Sequence, residues 1–563
     1  MTGRSDPGAP GPAQDARSPH ACGAPARLAL AALASAAVFA FAHHAGFANP
    51  FAVNDDVRQQ LYWMQRWLDP ALYPPSLLND YSEAYVPWGI KALYRLGAFF
   101  TNPLNFSVWV AGLLFTAQCL LLGAMASRAA GRAAFAAGVA MGWLLPFFLE
   151  NISGGLSRAF ASPLLAAFCL SWLSGGRFMG LVLALQALFI PYIFLPCAAA
   201  LALRRGADLI RGHAPFWLEG RRAWAVYGCC AAAVIGFTLA YSAKGFGPLV
   251  SLAETAGRPE FGPDGRLDLV PLPRPFLDFV YYPFERIGMF KEWGLFAGIA
   301  SLVLLAPALW YGGRAVDWRG LGRGLSPLGW TAASFLAFYA VSRALAFKLF
   351  VPDRYVQYPV NLLYAVLLAA CATAALARLG RGRLFGAGAL AMAALLGALR
   401  LHDVALYDYS PQAPLYAAVE AATPKDAVLA GHPDTMDNVM TFARRNAHAT
   451  LELAHPWSRG YWEQYGKRLD ALFEAYYAKD REGLERFARE SGADFLLVEA
   501  SRFEPSFLSG KPFFEPYGAR IRQSAAGQAG FAALDDPTLA RVPLVPGAFL
   551  IDLRPLRLGR DGR

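Results

Sequence analysis

Two adjacent carboxylates, Asp55 and Asp56, follow an apolar run in the stretch FAVNDDVRQQ, residues 51–60. Acidic side chains beside a membrane span cost free energy unless they face water or a cavity, so this pair indicates a functional site. A carboxylate near a membrane surface can act as a general base, or can hold a divalent cation through its oxygens. The alternative is structural: Asp55 caps a helix that starts at residue 57.

Three more charged residues stand at the ends of apolar runs. Glu150 and Arg158 flank a glycine pair in LENISGGLSRAFASP, residues 149–163. A glycine turn lets a substrate approach the backbone closely, although the two charges would also suit an ion pair with each other. Arg354 precedes Tyr355 in FKLFVPDRYVQYP, where an arginine fork suits phosphate recognition. The alternative for Arg354 is a contact with lipid phosphates.

The composition is that of a membrane protein. The chain has 563 residues, of which 56% are hydrophobic and 16% charged, and its mean hydropathy is +0.32. Such values predict several membrane spans. The net charge of +10 comes from arginines that cluster in short loops between apolar runs, which is typical of cytoplasmic loops and argues against nucleic acid as a partner. The seven cysteines form no C-x-x-C pair, so no zinc site is predicted from them.

The apolar runs predict eleven crossings with a cytoplasmic N-terminus. The run 28–42 is interpreted as an uncleaved first helix, with a cleaved signal peptide as the alternative. Basic residues flank 178–203 on both sides, which predicts a helical hairpin broken near Pro191 and Pro196. The remaining spans are predicted near 104–126, 133–149, 159–175, 223–243, 293–311, 327–349, 358–377 and 384–400.

Three domains follow from this pattern. Residues 1–26 are predicted to be a disordered cytoplasmic tail, and residues 27–400 a transmembrane domain with large outside loops at 48–103 and 244–292. Residues 401–563 are predicted to be a non-cytoplasmic α/β domain, with helices at 459–478 and 480–491. Its strands are predicted at 427–432, 449–454, 494–500 and 547–553. The Arg- and Ala-rich composition suggests a bacterium, in which outside means periplasm and the membrane is the inner membrane.

The loop 48–103 contains two amphipathic segments, near 57–69 and 82–100. Val57, Leu61, Met64 and Leu68 follow the helical period. Neighbouring tryptophans favour the level of the lipid headgroups, so both segments are predicted to lie on the membrane surface.

Together these features resemble the GT-C superfamily of polytopic glycosyltransferases, which use polyprenyl-phosphate-linked sugar donors on the non-cytoplasmic face. The resemblance rests on Asp55-Asp56 and Arg58 in the first outside loop, on the two interfacial segments and on Arg354. It implies that Asp55 is the catalytic base and Asp56 its support, that Glu150 stands where some members have a further acid, and that Arg354 meets the lipid-linked phosphate. The W-W-D motif of the oligosaccharyltransferases is absent from the sequence.

The resemblance implies transfer of a sugar to an envelope glycan, lipid or protein by single displacement with inversion. Arg58, Arg158 and Tyr355 are expected to bind substrate, and Mg²⁺ or Mn²⁺ on Asp56 and Glu150 is an open option. A catalytically inactive scaffold and a transporter or flippase of lipid-linked substrates are the alternatives. In the C-terminal domain, Asp434, Asp437, His455 and Trp457 are expected either to contact an acceptor glycan or to serve loop packing and capping.

Overall fold

Helices dominate the structure, a computed structural model that describes residues 23–213, 220–267, 309–349, 351–379, 383–528 and 530–557. Apolar segments form helices in a bilayer because a helix satisfies its backbone hydrogen bonds internally. The main helices before residue 401 are Gly23–Ala42, Leu77–Tyr85, Trp88–Gly97, Pro103–Ala130, Ala134–Leu144, Pro146–Ile152, Ala161–Leu173, Met179–Phe189, Pro191–Ile210, Gly220–Ala243, Trp318–Leu325, Gly329–Leu345, Arg354–Arg378 and Arg383–Arg400.

Several of these helices are long and apolar enough to cross a membrane, so the chain is a multi-pass membrane protein. Within the described ranges there are four such helices, or five if one bent pair forms a single span. Three other apolar helices have only 10–17 residues, and the expected span 293–311 falls almost wholly outside the described residues. The count of eleven crossings therefore stays a prediction. The first helix begins at Gly23, so residues 23–26 are helical and their assignment to a disordered tail was wrong.

The segment of the predicted span 133–149 is bent by 61° between Ala134–Leu144 and Pro146–Ile152. Pro146 has no N–H to continue the helix and disfavours helical backbone at the residue before it. Leu145 is accordingly extended, with φ −104° and ψ 104°. The bend matters for the site, since the second helix carries Glu150 and Asn151.

A second break lies in the stretch 178–203, as the prolines predict. The helix Met179–Phe189 ends before Ile190, and Pro191 opens the helix Pro191–Ile210. Pro196 lies inside this second helix, so only the break at Pro191 is confirmed.

The C-terminal region contains a mixed five-stranded sheet. Its strands are β3 Val428–Ala430, β4 Asn446–Ala447, β5 Phe495–Glu499, β6 Arg541–Val545 and β7 Ala548–Asp552. Their order in the sheet is β4-β3-β5-β7-β6, where β3 is parallel to β4 and β5, and β7 is antiparallel to β5 and β6. The main helices of this region are Ala413–Ala422, Pro433–Phe442, Arg459–Tyr476, Arg481–Ser491 and Tyr517–Ala525.

Three of the four strands predicted for this region are confirmed, and so are both helices. The strand predicted at 449–454 was wrong, because these residues form turns and the neighbouring strand is Asn446–Ala447. The signal failed because the pattern of a short apolar run does not by itself identify a strand.

The first part of the loop 48–103 packs against the C-terminal region, whereas the second amphipathic segment exposes Leu96, Phe99 and Phe100, and its place on the membrane surface stays a prediction. Strand β1, Ala52–Val53, pairs antiparallel with β2, Tyr407–Asp408. The short helical turns Val57–Gln60 and Tyr62–Trp67 follow β1. Trp63 is fully buried, so its predicted place among lipid headgroups was wrong.

Hydrogen bonds fix this packing. Gln65 Nε2 donates to the carbonyl oxygen of Thr441 at 3.1 Å, and the Tyr73 hydroxyl donates to that of Met440 at 2.7 Å. The acid pair thus stands on a loop that is held between the helices and the C-terminal domain.

Candidate functional site

The position of the acid pair is set by Asn54, which precedes it. Asn54 Nδ2 donates to the carbonyl oxygen of Ala405 at 2.9 Å, while its Oδ1 accepts the backbone N–H of Asp56 at 3.1 Å. Asp56 is the N-cap residue of Val57–Gln60, but neither its side chain nor that of Asp55 accepts a hydrogen bond from the helix N–H groups. The capping interpretation of Asp55 was therefore wrong.

The two carboxylates have different surroundings. Asp56 Oδ2 lies 2.8 Å from Nη2 of Arg158, and Asp56 Oδ1 accepts a hydrogen bond from Gln59 Nε2 at 2.8 Å. Asp55 Oδ1 accepts the backbone N–H of Asp56 at 3.0 Å. Burial, and then the nearby charge of Asp56, raise the pKa of Asp55. A carboxylate with a raised pKa is a stronger base, so Asp55 is suited to accept a proton, while Asp56 is engaged by Arg158 and Gln59.

The structure brings the basic candidates to the same place. Arg354 begins the helix Arg354–Arg378, and its Nη1 donates to Oδ1 of Asn151 at 3.0 Å. Asp56, Arg158 and Arg354 all act electrostatically on the hydroxyl of Tyr85, whose pKa is raised chiefly by burial. These groups therefore share one electrostatic neighbourhood at the helix ends.

Arg158 is the centre of this arrangement. Burial alone would lower the pKa of its guanidinium, but the charges of Asp56, Asp55 and Glu150 reverse the effect and raise it. Arg158 forms its ion pair with Asp56, so the pairing with Glu150 weighed from the sequence is not the one adopted. The guanidinium of Arg158 is permanently charged, and its N–H groups can also donate hydrogen bonds to a phosphate.

Arg58 and Tyr355 form their hydrogen bonds with residues outside this group. Arg58 is buried, and its Nη1 donates to Asn438 Oδ1 at 2.9 Å in the C-terminal domain. Its guanidinium lies 4.4 Å from the ring centroid of Tyr409. The Tyr355 hydroxyl donates to the carbonyl oxygen of Leu349 at 2.6 Å, and the residue is buried. A role for either in substrate binding stays a prediction.

The glycine pair of the loop 149–163 is in contact with the protein itself. A Cβ atom added to Gly154 would lie 2.9 Å from Oδ1 of Asn54, and one added to Gly155 would lie 2.5 Å from the carbonyl oxygen of Ser107. Gly154 lets the segment that bears the acids approach closely, while a use of the pair for the approach of a substrate stays a prediction.

We expect Gly155→Ala to destabilise the fold by about 2 kcal/mol or more. Gly155 has φ +62°, and the new Cβ would also lie 2.8 Å from Oη of Tyr94, so strain and crowding add. Thermal unfolding of the purified protein measures the loss. Gly131→Ala is the control, since it has φ +91° but nothing within 4 Å of the new atom. Equal losses in both variants would contradict the crowding.

A polar cavity of about 410 Å³ lies between the first outside loop and the C-terminal domain. Among its lining residues are Arg58, Tyr409, Asp434, Asp437 and Arg502. Paired carboxylates and arginines beside an aromatic ring can hydrogen-bond and stack with a polyhydroxylated ligand. Tyr409 and Arg502 carried no signal in the sequence, because only the fold brings residues so far apart in sequence to one cavity.

Of the four candidates in the C-terminal domain, only Asp434 and Asp437 line this cavity. His455 lies apart from it, with Nδ1 2.9 Å from the hydroxyl of Tyr81 and its ring stacked on Trp457 at 4.2 Å. These contacts agree with the packing alternative for His455 and Trp457.

Asp437 gives the cavity a pH-dependent charge. Burial raises the pKa of Asp437 to about 8, against the opposing effect of Arg58. The folded protein therefore binds more protons than the unfolded chain between about pH 4 and pH 8, and this contribution to stability falls as the pH rises through that window.

As the pH rises from 5 to 9, we expect the free energy of unfolding of Asp437→Asn to increase relative to that of wild type by on the order of 1–3 kcal/mol, because asparagine does not ionise. Thermal unfolding at a series of pH values measures the difference. The control is Asp264→Asn. Asp264 is exposed, and its ion pair with Lys511 lowers the pKa of its carboxyl group, so this variant should not be stabilised relative to wild type. A constant difference between Asp437→Asn and wild type would contradict the account.

A divalent cation on Asp56 and Glu150 does not fit this arrangement. The guanidinium of Arg158 occupies one oxygen of Asp56 and the amide of Gln59 the other. A cation there would have to displace Arg158, so the chemistry below uses only the side chains of the chain.

Comparison with known proteins gives matches among solved structures only, because no family model and no curated protein sequence matches the chain. The chain is similar to ArnT from Cupriavidus metallidurans in its apo state, at 13% identity and a TM-score of 0.46, over 95% of this chain and 99% of that one. ArnT bound to undecaprenyl phosphate is similar at 14% identity and 0.46, over 95% and 98%.

The chain is also similar to the Archaeoglobus fulgidus oligosaccharyltransferase in complex with Zn and sulfate. The identity is 12% and the TM-score 0.45, over 87% of this chain and 69% of that one. Similarities of this size leave the chemistry to be argued from the residues.

Proposed function

We propose that the chain is a membrane glycosyltransferase that transfers a sugar from a polyprenyl-phosphate-linked donor to an envelope glycan, lipid or protein. The transfer takes place on the non-cytoplasmic face of the inner membrane, with the N-terminus in the cytoplasm and residues 401–563 in the periplasm. The observation that carries the proposal is a half-buried carboxylate of raised pKa, Asp55, which feels the charge of Arg158, next to Asp56, which forms an ion pair with Arg158. A base next to a phosphate-binding cation is what this displacement needs.

The reaction is a single displacement. Asp55 accepts the proton of the acceptor hydroxyl, whose oxygen forms a bond with the anomeric carbon of the sugar. The bond between that carbon and the phosphate oxygen breaks, and polyprenyl phosphate leaves with the bonding electrons. One displacement inverts the configuration of the anomeric carbon. Asp55 then returns its proton to water, so the site is regenerated.

Arg158 and Arg354 supply the positive charge for the leaving phosphate. Phosphate charge grows as the bond breaks, and fixed guanidinium groups stabilise it without reorganisation. Asp56 orients Arg158 through the 2.8 Å ion pair, while Asn151 orients Arg354 through the 3.0 Å hydrogen bond. Glu150 adds negative charge near Arg158, which keeps that cation in place.

The cavity lined by Arg58, Asp434 and Asp437 is the proposed acceptor site. Two features support it. Arg58 contacts the C-terminal domain on the cavity side, and its charge also acts on Asp55, lowering the pKa of that carboxyl against the larger effects that raise it. An acceptor held there would reach the base without crossing the phosphate-binding arginines.

Glycan profiles of a deletion strain test the proposal. We expect an envelope glycan to lose one sugar and a polyprenyl-linked form of that sugar to accumulate, both measured by mass spectrometry and both restored by the wild-type gene. Unchanged envelope glycans together with an unchanged lipid-linked pool would contradict the proposal. Accumulation of the lipid-linked sugar on the cytoplasmic face would instead identify a flippase.

A further inference from the structure

A group of metal-ligand residues lies apart from the proposed active site, where the first and last described apolar helices of the membrane domain end. His44 follows the helix Gly23–Ala42, while His402 and Asp403 follow Arg383–Arg400. One ligand atom from each of these three residues lies within 4.8 Å of the other two. Among the residues that the structure describes, this is the one such group of three.

The imidazole of His44 has one ring nitrogen available to bind a metal ion. Its Nδ1 lies 3.2 Å from the carbonyl oxygen of Phe41. Because a carbonyl oxygen only accepts, Nδ1 carries the hydrogen and Nε2 keeps its lone pair. A ligating histidine normally donates its other ring N–H in this way, which fixes its tautomer and orientation.

The other two residues already have close to the spacing of ligands. Nδ1 of His402 forms an ion pair with Oδ2 of Asp403 at 2.9 Å, so ligation through this nitrogen would release its proton. The separation is close to the distance of about 3.3 Å between two ligand atoms on a tetrahedral zinc ion. The rings of His44 and His402 are 5.2 Å apart. Since His44 is exposed, a side-chain movement of about 1.5 Å would complete the set.

The backbone holds the two segments together independently of any ion. The N–H of Asp403 donates to the carbonyl oxygen of Ala42 at 2.9 Å. Asp403 has φ +53°, a conformation that a non-glycine residue adopts uncommonly and that aspartate and asparagine tolerate best. The neighbouring His43 is buried, with its Nε2 3.1 Å from the Ser153 hydroxyl, so it takes no part in the group.

We infer that His44, His402 and Asp403 bind Zn²⁺, with water as the fourth ligand. Two imidazoles and one carboxylate favour zinc over magnesium or calcium, which prefer oxygen ligands. The ion would join the end of the first helix to the segment after the last one, beside the β1–β2 pairing that anchors the loop of Asp55. This inference does not depend on the proposed transferase activity.

Zinc titration of the full-length protein tests the site. The protein is purified without a polyhistidine tag, stripped with EDTA and titrated with ZnCl₂ against a chelating dye. We expect one tightly bound equivalent in wild type, and a loss of about 100-fold in affinity in His44→Ala and in His402→Ala. Asp403→Asn keeps the backbone conformation and should lose about 10-fold. The matched control is His213→Ala, another exposed histidine, which should bind as wild type does.

Two results would overturn the inference. One is a wild-type protein that binds no equivalent of zinc. The other is an affinity that the His44 and His402 variants leave unchanged. Because a variant can misfold, the cobalt-loaded wild-type protein gives a separate measurement, in which visible absorption bands of tetrahedral Co²⁺ support the site and a purely octahedral spectrum contradicts it.

Discussion

Asp55→Asn is expected to reduce sugar transfer by about 10²–10⁴-fold, since asparagine cannot accept the proton of the acceptor hydroxyl. The variant keeps the size and position of the side chain, including the acceptor oxygen for the backbone N–H of Asp56. Complementation of a deletion strain at matched membrane levels, with mass spectrometry of envelope glycans, measures the loss. Asp80→Asn, an acid in the first turn of Leu77–Tyr85, is the control and should retain activity.

Asp56→Asn should be less severe, because Asp56 acts through Arg158. Full activity of Asp55→Asn would contradict the catalytic role and favour the inactive-scaffold interpretation. The pH profile adds a second measurement: a raised pKa places the acid limb of the wild-type profile above the ordinary aspartate value near 3.8. Activity should fall as the pH drops through the pKa of Asp55, because the protonated base cannot accept a proton.

Arg158→Gln is expected to lower the rate of transfer by about 10²–10³-fold. The substitution removes a fixed positive charge from the position where phosphate charge develops, and it leaves Asp56 without its ion-pair partner. Arg158→Lys should recover only part of the rate, since an ammonium keeps the charge but not the two-pronged geometry.

The control for Arg158 is Arg66→Gln. Arg66 lies in the first outside loop and pairs with Glu83 at 2.5 Å, away from the acids, so its loss should have little effect. Transfer assayed at saturating donor separates a slower reaction from weaker donor binding. Equal losses in Arg66→Gln and Arg158→Gln would show that the effect is on the fold of the loop.

The sequence alone indicated which charged residues at the helix ends are candidates for the site. Outside helix ends collect on one face of a membrane protein, so Asp56, Arg158 and Arg354 could be selected from their loop positions alone. Their mutual pairing could not be predicted. The sequence placed Glu150 and Arg158 eight residues apart as possible partners, whereas Arg158 pairs with Asp56, and that choice depends on tertiary distances.

The packing of the first outside loop was beyond sequence reasoning for a related reason. An amphipathic segment with tryptophans presents the same pattern whether its apolar face meets lipid or another domain. Trp63 is fully buried in a loop that the β1–β2 pairing joins to the C-terminal region, between residues more than 350 positions apart. The path of Arg58 into the cavity follows from the same contact. By contrast, the bend at Pro146 had a local cause that a closer consideration of the proline would have found.

The most direct test of the transferase account is a reaction with purified components. Wild-type protein in liposomes is incubated with lipid extract of the deletion strain, which should contain the accumulated donor, and with the under-glycosylated acceptor from that strain. The account predicts that the lipid-linked sugar disappears, that polyprenyl phosphate and extended acceptor form in equal amounts, and that the Asp55→Asn protein forms neither. An unchanged donor and acceptor with wild-type protein, or equal conversion by Asp55→Asn, would contradict it.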